Sequence, residues 1–452
     1  MMDFVLSSLY VMTAFGYIMA YAVDVQKCPF PPQCDCHTIG VLQEYCQDKG
    51  FTEVPTLTAS SYNGTWFVDL SDNNITSLTA NAFTNIKLST LWISNNNIIY
   101  IDIEAFSGSD DTLQSLHLGG NQLISLPITL TRLSKLSDLH VQYNPMKDLD
   151  TNILVNVSTN LEKLSFGSIN MTKWPTSIMG LNKLVELSVY NVSMDSFPIN
   201  AFEGLEYSLQ FLQIQSTIIS RLPLSINKLS KLFTVLINYN VNLKVLPEEI
   251  FEGLNNIHYI VIQGNAFSNI SAIYKDSSNI KSFALQSDYI SNITDAVYPA
   301  KIQPNLYEIS LVLPKLHDVP KALSNMPSLK QIEMFQANIS IIRAGDFSNL
   351  PSLITLELSS NPISVVEIGA FATTRSLQVL NLRYTKLKTV PEAIKKTKLY
   401  SMDLTGCNVI CTCEGLQWMK QWPTRNSTFI SGECTNLNIP IYEFQLKYIP
   451  KC

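Results

Sequence analysis

A pattern that recurs every 22 to 26 residues restricts the fold of this 452-residue chain more than any other feature. Its clearest copy, Leu353 to Ile363, reads LITLELSSNPI. Leu356 and Leu358 are two residues apart, so on a strand they point to one face while Glu357 points to the other. Asn361 follows Leu358 by three residues, where its side chain can hydrogen-bond the backbone of the turn that leaves the strand. The pattern therefore predicts a strand followed by a tight turn.

The pattern begins fifteen times between residues 56 and 410. Its first positions are Thr65, Leu88, Leu113, Leu136, Leu161, Leu184, Leu209, Leu232, Ile257, Ile280, Leu306, Leu329, Leu353, Leu377 and Leu399. Many of the shorter units carry a proline that should prevent strand pairing in the return segment, at Pro127, Pro175, Pro223 and Pro320. Several of the longer units carry a phenylalanine that should fill the core, at Phe202, Phe251, Phe347 and Phe371.

A single unit of this kind cannot fold alone. About seven apolar side chains contribute roughly 1.5–3 kcal/mol each on burial, whereas ordering about 24 residues costs about 1–2 kcal/mol apiece. Stacked units bury both flanks and add a ladder of strand hydrogen bonds. The form L-x-x-L-x-L-x-x-N-x-L resembles the leucine-rich repeat. The resemblance implies an α/β solenoid, a curved horseshoe with a parallel β-sheet on its concave side.

The asparagine position is expected to form a hydrogen-bonded ladder with interruptions. It is intact at Asn73, Asn96, Asn121, Asn144, Asn240, Asn265 and Asn361, and Thr217, Asp288 and Thr385 could substitute. It is lost at Ile169, Val192, Pro314 and Ala337. Units at 280–316 fit the pattern least well, and residues 291–305 are irregular, which predicts a local distortion of the sheet.

The nine cysteines lie at the two ends of the chain. Cys28, Cys34, Cys36 and Cys46, followed by Val54 and Pro55, resemble the N-terminal cap of extracellular leucine-rich repeat proteins. The resemblance implies the disulfides Cys28–Cys36 and Cys34–Cys46. Spacing alone leaves three pairings open, and zinc is a competing interpretation.

The C-terminal cysteines resemble the second cap of the same family. Cys411 and Cys413 precede Leu416, Trp418 and Trp422, and the resemblance implies the disulfides Cys411–Cys434 and Cys413–Cys452. Leu416, Met419 and Trp422 should form one helical face against the last repeat. Cys407 stands at an asparagine position and is expected to be a buried free thiol, with an intermolecular disulfide as the alternative.

The first 22 residues are typical of a secretory signal peptide. An apolar run from Phe4 to Ala20 leads into Ala20, Tyr21 and Ala22, a small-x-small cleavage site, although no basic residue precedes the run and Asp3 is acidic. An uncleaved membrane anchor is the alternative, and no membrane span is expected in the mature chain. The predicted domains are the signal peptide 1–22, an N-terminal cap 23–55, the repeats 56–410 and a C-terminal cap 411–452. Candidate glycosylation sites are Asn63, Asn74, Asn156, Asn170, Asn191, Asn269, Asn292, Asn338 and Asn426.

Composition and motifs exclude several function classes. The net charge of −6 argues against a nucleic-acid partner, which would require a basic face. The chain has no nucleophile elbow, no phosphate loop and no paired catalytic carboxylates. We therefore predict no enzyme activity, no catalytic residue, no cofactor and no metal site.

Aromatic residues between the core leucines predict a binding surface on the concave face. The candidates are Trp92, His117 and His140 in one group and Tyr190, Phe211, Leu236, Tyr239, Tyr259 and Val261 in another. Ordinary exposed strand residues, or for His117 and His140 a metal-binding or pH-sensing pair, are the alternatives.

The resulting hypothesis is a secreted recognition or adhesion protein that binds an extracellular protein or glycan. The alternatives are a non-catalytic subunit of a secreted enzyme and a receptor ectodomain that lacks its membrane segment. The sequence makes no prediction of the ligand's identity or of the oligomeric state.

Overall fold

The computed structural model describes residues 28–39, 41–58, 64–247, 249–268, 279–290, 304–422 and 426–452. These residues belong to two compact units, the first extending to residue 122 and including 127–136, and the second comprising 123–126 and 137–452. The predicted signal peptide lies outside the described residues. Within the described ranges, no helix is both long enough and apolar enough to span a membrane.

The first unit is built on a sheet that begins with an antiparallel hairpin. Its strands are β1 (Asp35–Ile39), β2 (Val41–Tyr45), β3 (Thr65–Asp69), β4 (Ser77–Leu78), β5 (Lys87–Trp92), β6 (Tyr100–Ile101) and β7 (Ser115–His117), and a 3-10 helix spans Ile128–Arg132. Strands β1 and β2 form the hairpin, which the sequence did not predict, and β2, β3, β5 and β7 continue in parallel. The short strands β4 and β6 form a separate parallel pair.

The second unit repeats one strand–turn–return arrangement many times. Its strands are β8 (Asp138–His140), β9 (Lys163–Phe166), β10 (Glu186–Tyr190), β11 (Phe211–Gln215), β12 (Thr234–Asn238), β13 (Tyr259–Gln263), β14 (Ser282–Gln286), β15 (Glu308–Val312), β16 (Gln331–Glu333), β17 (Ile341–Ile342), β18 (Thr355–Glu357), β19 (Val365–Val366), β20 (Val379–Asn381), β21 (Ser401–Asp403), β22 (Phe429–Ser431), β23 (Glu433–Cys434) and β24 (Ile439–Pro440). Its α-helices are α1 (Thr151–Val157), α2 (Cys413–Leu416) and α3 (Ile441–Lys447). Its 3-10 helices are Thr176–Gly180, Leu224–Lys228, Lys321–Asn325, Glu392–Lys396, Gln417–Gln421 and Ile449–Lys451.

The strands of the second unit pair in parallel and in chain order. The series runs from β8 through β16, then to β18, β20, β21 and β22. Strands β17 and β19 form a parallel pair in the return segments, whereas β23 and β24 pair antiparallel. Each of the fifteen predicted units supplies one strand of a parallel sheet. The register between β3 and β5 shifts at a β-bulge, where Trp66 pairs with Leu88 and Phe67 with Thr90, so Ser89 of β5 is left over.

Where the asparagine is intact, its side chain joins a repeat to its neighbour. Asn361 Nδ2 donates to Met334 O at 2.7 Å and to Leu358 O at 2.9 Å, and its Oδ1 accepts from Ile339 N at 3.2 Å. One buried side chain therefore pairs backbone groups of two successive units, which would otherwise be desolvated without partners.

Two of the three predicted substitutes fill this position. Thr217 is buried and donates to Asn240 Oδ1, and Thr385 is buried beside Cys407. The prediction for Asp288 is wrong, because that side chain is exposed and Ser287 is buried in its place, donating to Phe267 O at 2.7 Å. Cys407 is a buried free thiol, as predicted, and its Sγ donates to Leu382 O at 3.1 Å.

The predicted distortion at 280–316 is wrong for the strands. Strand β14 pairs in register over five residues with both β13 and β15. Buried Phe283, Leu285, Ile309 and Leu311 keep this register, because a one-residue slip would expose them. The irregular residues 291–303 lie outside the described part of the chain.

Prolines and phenylalanines take the predicted places in the return segments. Pro127, Pro175, Pro223 and Pro320 each precede a 3-10 helix, where the missing N–H costs no hydrogen bond. The predicted phenylalanines are all buried, at Phe202, Phe251, Phe347 and Phe371.

Disulfides close both ends of the array. The pairs are Cys28–Cys36, Cys34–Cys46, Cys411–Cys434 and Cys413–Cys452, as the family resemblance implied. Leu416, Met419 and Trp422 are buried in the C-terminal cap, as predicted. They lie on α2, on the 3-10 helix that follows it and at the C-cap of that helix, rather than on one continuous helix. The fold class, a leucine-rich repeat solenoid with a parallel sheet and disulfide caps, is confirmed.

Candidate functional site

The open face of each sheet, opposite the core leucines, presents side chains in straight rows because the strands pair in register. In the second unit one row contains Gln213, Leu236, Val261 and Ala284 on β11 to β14. Leu236 and Val261 face this side, as predicted, but are only 9% and 8% exposed. Their short side chains lie between longer ones two residues away on the same strands, such as Tyr259 and Gln263. They form an apolar floor rather than protruding contacts.

The predicted tyrosines lie at the strand ends. Tyr190, at the end of β10, donates its hydroxyl to Gln213 Oε1 at 3.2 Å, and its ring centroid lies 5.5 Å from that of Tyr143. Tyr239 follows β12, is 39% exposed and packs over Gly264, where a Cβ would lie 2.3 Å from the tyrosine ring. Phe211 is partly exposed at the start of β11 and lies in register with Thr234 and then Tyr259.

An aromatic cluster at the starts of β12, β13 and β15 contains three residues that the sequence prediction missed. It consists of Phe233, His258, Tyr259 and Tyr307, of which only Tyr259 was predicted. Phe233 is 41% exposed and stacks on His258 with centroids 4.5 Å apart, and Tyr259 lies 5.4 Å from Phe233. The hydroxyls of Tyr259 and Tyr307 are 3.3 Å apart, and burial together with this contact raises the pKa of Tyr307. The Tyr307 hydroxyl therefore stays neutral and can both donate and accept.

The missed residues share one position in the repeat. Phe233, His258 and Tyr307 each follow the first apolar residue of their unit, at Leu232, Ile257 and Leu306. Our prediction considered residues between the core leucines and not this position. Alignment of the repeats would have shown three aromatic rings in it.

A row of amides runs beside the apolar floor. Gln215, Asn238, Gln263 and Gln286 occupy consecutive strands in register, so they are spaced by about 4.8 Å. Asn238 is 6% exposed, and its Oδ1 is buried with no hydrogen-bond partner among the described residues. Each amide offers both donors and an acceptor, so the row can bond a polar ligand along its length.

The other predicted group is divided between the units. Trp92, 38% exposed, and His117 belong to the first unit, where their ring centroids are 5.2 Å apart. His140 belongs to the second unit, and its Nε2 lies 2.8 Å from Asp138 Oδ1. The interpretation of His117 and His140 as a pair stays a prediction.

Most of the described sequons present an exposed asparagine. This is true of Asn74, Asn156, Asn170, Asn338 and Asn426. Asn191 is only partly exposed and has a left-handed backbone with φ of 51°. Asn63, Asn269 and Asn292 lie outside the described residues.

A buried carboxyl group lies against both disulfides of the N-terminal cap. Glu44 is 0% exposed, its Oε2 lies 3.2 Å from Cys28 Sγ and contacts Cys36 Sγ, and its Oε1 lies 3.8 Å from Cys46 Sγ. Burial, together with the Asp35 carboxylate, raises the pKa of Glu44 from 4.5 to about 8. Disulfide sulfur cannot donate a hydrogen bond, so the protonated acid is the form that fits.

This group should make the first unit less stable as the pH rises. Between pH 4.5 and about 8 the folded chain holds a proton that the unfolded chain has released. The stabilisation is therefore fully present below pH 4.5 and is lost as the pH rises to about 8, at about 1.4 kcal/mol per pH unit for one proton. Urea unfolding of the cap, monitored by its susceptibility to proteolysis, should show this decrease in unfolding free energy with pH in the native chain. The decrease should be absent in Glu44→Gln. Glu53→Gln, at an exposed carboxylate, is the control, and an equal slope in E44Q would contradict the prediction.

These features define the class of protein as a leucine-rich repeat solenoid, and sequence comparisons agree. A family model described as Leucine rich repeat matches residues 353–409, and one described as BspA type Leucine rich repeat region matches residues 67–184. Leucine-rich repeats are therefore present in this chain.

Individual relatives are similar over limited lengths or at low identity. The leucine-rich repeat-containing G-protein coupled receptor 5A of Xenopus laevis is 38% identical over 100 residues, which are 22% of this chain and 10% of the receptor. A leucine-rich repeat protein of Leptospira interrogans has a similar structure, with a TM-score of 0.63, 21% identity and coverage of 85% of this chain and 94% of that one. A chain from the Drosophila Toll–Spatzle complex has a TM-score of 0.64 and 16% identity, over 88% of this chain and 65% of its own. The structural similarities show the fold.

Proposed function

We propose that this chain is a secreted, non-catalytic recognition or adhesion protein that binds an extracellular protein or glycan on the open face of its second unit. The observation that carries the proposal is the aromatic cluster of Phe233, His258, Tyr259 and Tyr307, which presents rings to solvent on a rigid sheet. Aromatic residues that are held rigidly lose little entropy on binding and are enriched among residues that dominate binding energy.

The surroundings of the cluster supply the other requirements of a binding surface. Leu236 and Val261 form an apolar floor, while the row of Gln215, Asn238, Gln263 and Gln286 offers hydrogen bonds. A ligand that reached Asn238 Oδ1 could supply the bond that this buried oxygen lacks within the protein. The disulfide caps and the exposed sequons support an extracellular location.

The test uses a pair of aromatic truncations. Phe211→Ala combined with Tyr259→Ala should weaken binding of the partner by about tenfold or more, with little change in melting temperature because both side chains are partly exposed. The partner would first be identified by pull-down from native fluid and mass spectrometry, and its affinity measured by calorimetry. Ile199→Ala combined with Tyr207→Ala removes two side chains that are 81% and 84% exposed outside the strands, and it should leave the affinity unchanged. Unchanged affinity in the first double variant would remove this surface from consideration.

A receptor ectodomain is the second candidate. It is favoured by the similarity to a G-protein coupled receptor and to the Toll–Spatzle complex. A transcript that continues past Cys452 into a membrane segment would support it, whereas release of the chain as a free protein from its native cells would favour the secreted form.

A further inference from the structure

The formal charge of the chain is concentrated in the first unit. Residues 28–122 and 127–136 contain ten Asp or Glu and four Lys or Arg, a charge of −6, which equals that of the whole chain. The second unit, residues 123–126 and 137–452, contains 25 acidic and 26 basic side chains. The two units therefore present different electrostatic fields, and the field of the first unit attracts cations.

The same unit carries a continuous ridge of aromatic rings on the open face of its sheet. This aromatic ridge consists of His37, Tyr45, Phe67, Trp92 and His117, one from each of β1, β2, β3, β5 and β7. Successive ring centroids are 5.7, 5.6, 4.9 and 5.2 Å apart. Only Trp92 and His117 were predicted from the sequence. The ridge begins on the cap hairpin, whose strands the sequence did not reveal.

Carboxylates alternate with the rings along one line of register. Asp35 pairs with Tyr45, Tyr45 with Asp69, Asp69 with Trp92, and Trp92 with His117. Asp35 is exposed, whereas Asp69 is 3% exposed and accepts a hydrogen bond from Ser71 N. The exposed Asp72 follows three residues later.

We propose that the aromatic ridge docks a basic segment of a partner protein, with lysine or arginine side chains along the rings. The aliphatic stems of Lys and Arg pack against apolar surface while their charged ends reach carboxylates, and here those carboxylates are Asp35 and Asp72. Asp69 adds attraction from its buried position, where water screens its charge less than at the surface.

The geometry of the rings distinguishes this partner from a glycan. Trp92 and His117 stack at an interplanar angle of 26°, and the rings of Phe67 and Trp92 meet edge to face at 75°. The ring faces are thus largely occupied by neighbouring rings, which leaves little flat surface on which a sugar could stack. An acidic polysaccharide would also be repelled by the charge of this unit. This surface is separate from the one proposed for the second unit, so either proposal can fail alone.

Binding of labelled peptides to the full chain tests the proposal. A fluorescein-labelled arginine–serine repeat peptide should bind near neutral pH, more weakly as salt is added, and its glutamate–serine counterpart should not bind. Asp35→Asn with Asp72→Asn should raise the dissociation constant about tenfold. Trp92→Ala should raise it by a similar or larger factor.

A matched control distinguishes weaker binding caused by loss of the ridge carboxylates from weaker binding caused by the lower net charge. Glu53→Gln with Asp111→Asn removes the same charge from exposed side chains of the same unit that lie outside its strands. This control should bind the basic peptide as the native chain does. Equal weakening by both double variants would show attraction to the net charge alone and would overturn the proposal, as would equal binding of the two peptides. If Trp92→Ala fails to fold, the comparison of the two double variants decides the result.

Discussion

Replacing Gly167 by alanine should destabilise the second unit by more than about 3 kcal/mol. Gly167 has φ of +139°, and a Cβ built on it would lie 1.7 Å from Tyr190 O. The obstacle is a backbone carbonyl on the neighbouring strand β10, so it can move only if the sheet deforms. The loss should appear as a lower urea midpoint and a lower melting temperature of the full chain.

Two other glycines of the second unit separate the cost of the left-handed backbone from the cost of the close contact with Tyr190. Gly253 has φ of +77° with no atom near its would-be Cβ, so Gly253→Ala measures the backbone cost alone, about 1–2 kcal/mol. Gly180 has neither feature, and Gly180→Ala should be neutral or slightly stabilising. A G167A loss no larger than that of G253A would show that the close approach to Tyr190 is not a constraint.

Asn240→Ala should have an effect of similar size, about 3–5 kcal/mol. Asn240 is 0% exposed, and its Nδ2 donates to Ile214 O at 3.1 Å and Asn265 Oδ1 at 3.0 Å. Its Oδ1 accepts from Thr217 N at 3.1 Å and from the Thr217 hydroxyl at 2.7 Å. Alanine would remove all four bonds and would leave the Thr217 N–H buried without this acceptor, although Asn265 Oδ1 would still accept from the backbone N–H of residue 240. The free energy of unfolding should therefore fall steeply.

The control for this variant is Asn242→Ala. Asn242 is exposed and donates to Ile218 O at 3.1 Å, a bond that water can replace. We expect a loss below about 1 kcal/mol. Comparable losses in the two variants, measured by urea unfolding, would contradict the assignment of stability to the buried ladder.

The sequence predicted the repeat fold because its signals are local. Leu356, Leu358 and Asn361 lie within six residues of each other. The apolar spacing recurs from unit to unit, and the asparagine recurs in seven of the fifteen units. Where the local signal was ambiguous, the prediction went wrong. Asp288 matches the spacing of the asparagine position, but the buried place belongs to Ser287, because a neutral hydroxyl is easier to desolvate than a carboxylate.

The candidate sites were less predictable because they depend on register between strands. Leu236 and Val261 were correctly placed on the open face, but their burial depends on longer side chains around them. Tyr45 and His37 could not be joined to Trp92 from the sequence, since their strands lie in a cap without the repeat pattern. Phe233, His258 and Tyr307 could have been found by aligning the repeats, because they share one column.

The alkylation rate of the buried Cys407 thiol reports how often the last repeats open. The eight other cysteines are in disulfides, so this sulfur is the one reactive toward alkylating agents in the oxidised chain. Burial raises the pKa of the Cys407 thiol, and the thiol donates a hydrogen bond to Leu382 O within the core. Labelling therefore requires the repeats around Cys407 to separate. The rate of alkylation in native buffer thus times the local opening of residues 377–410, and no cysteine needs to be introduced for the measurement.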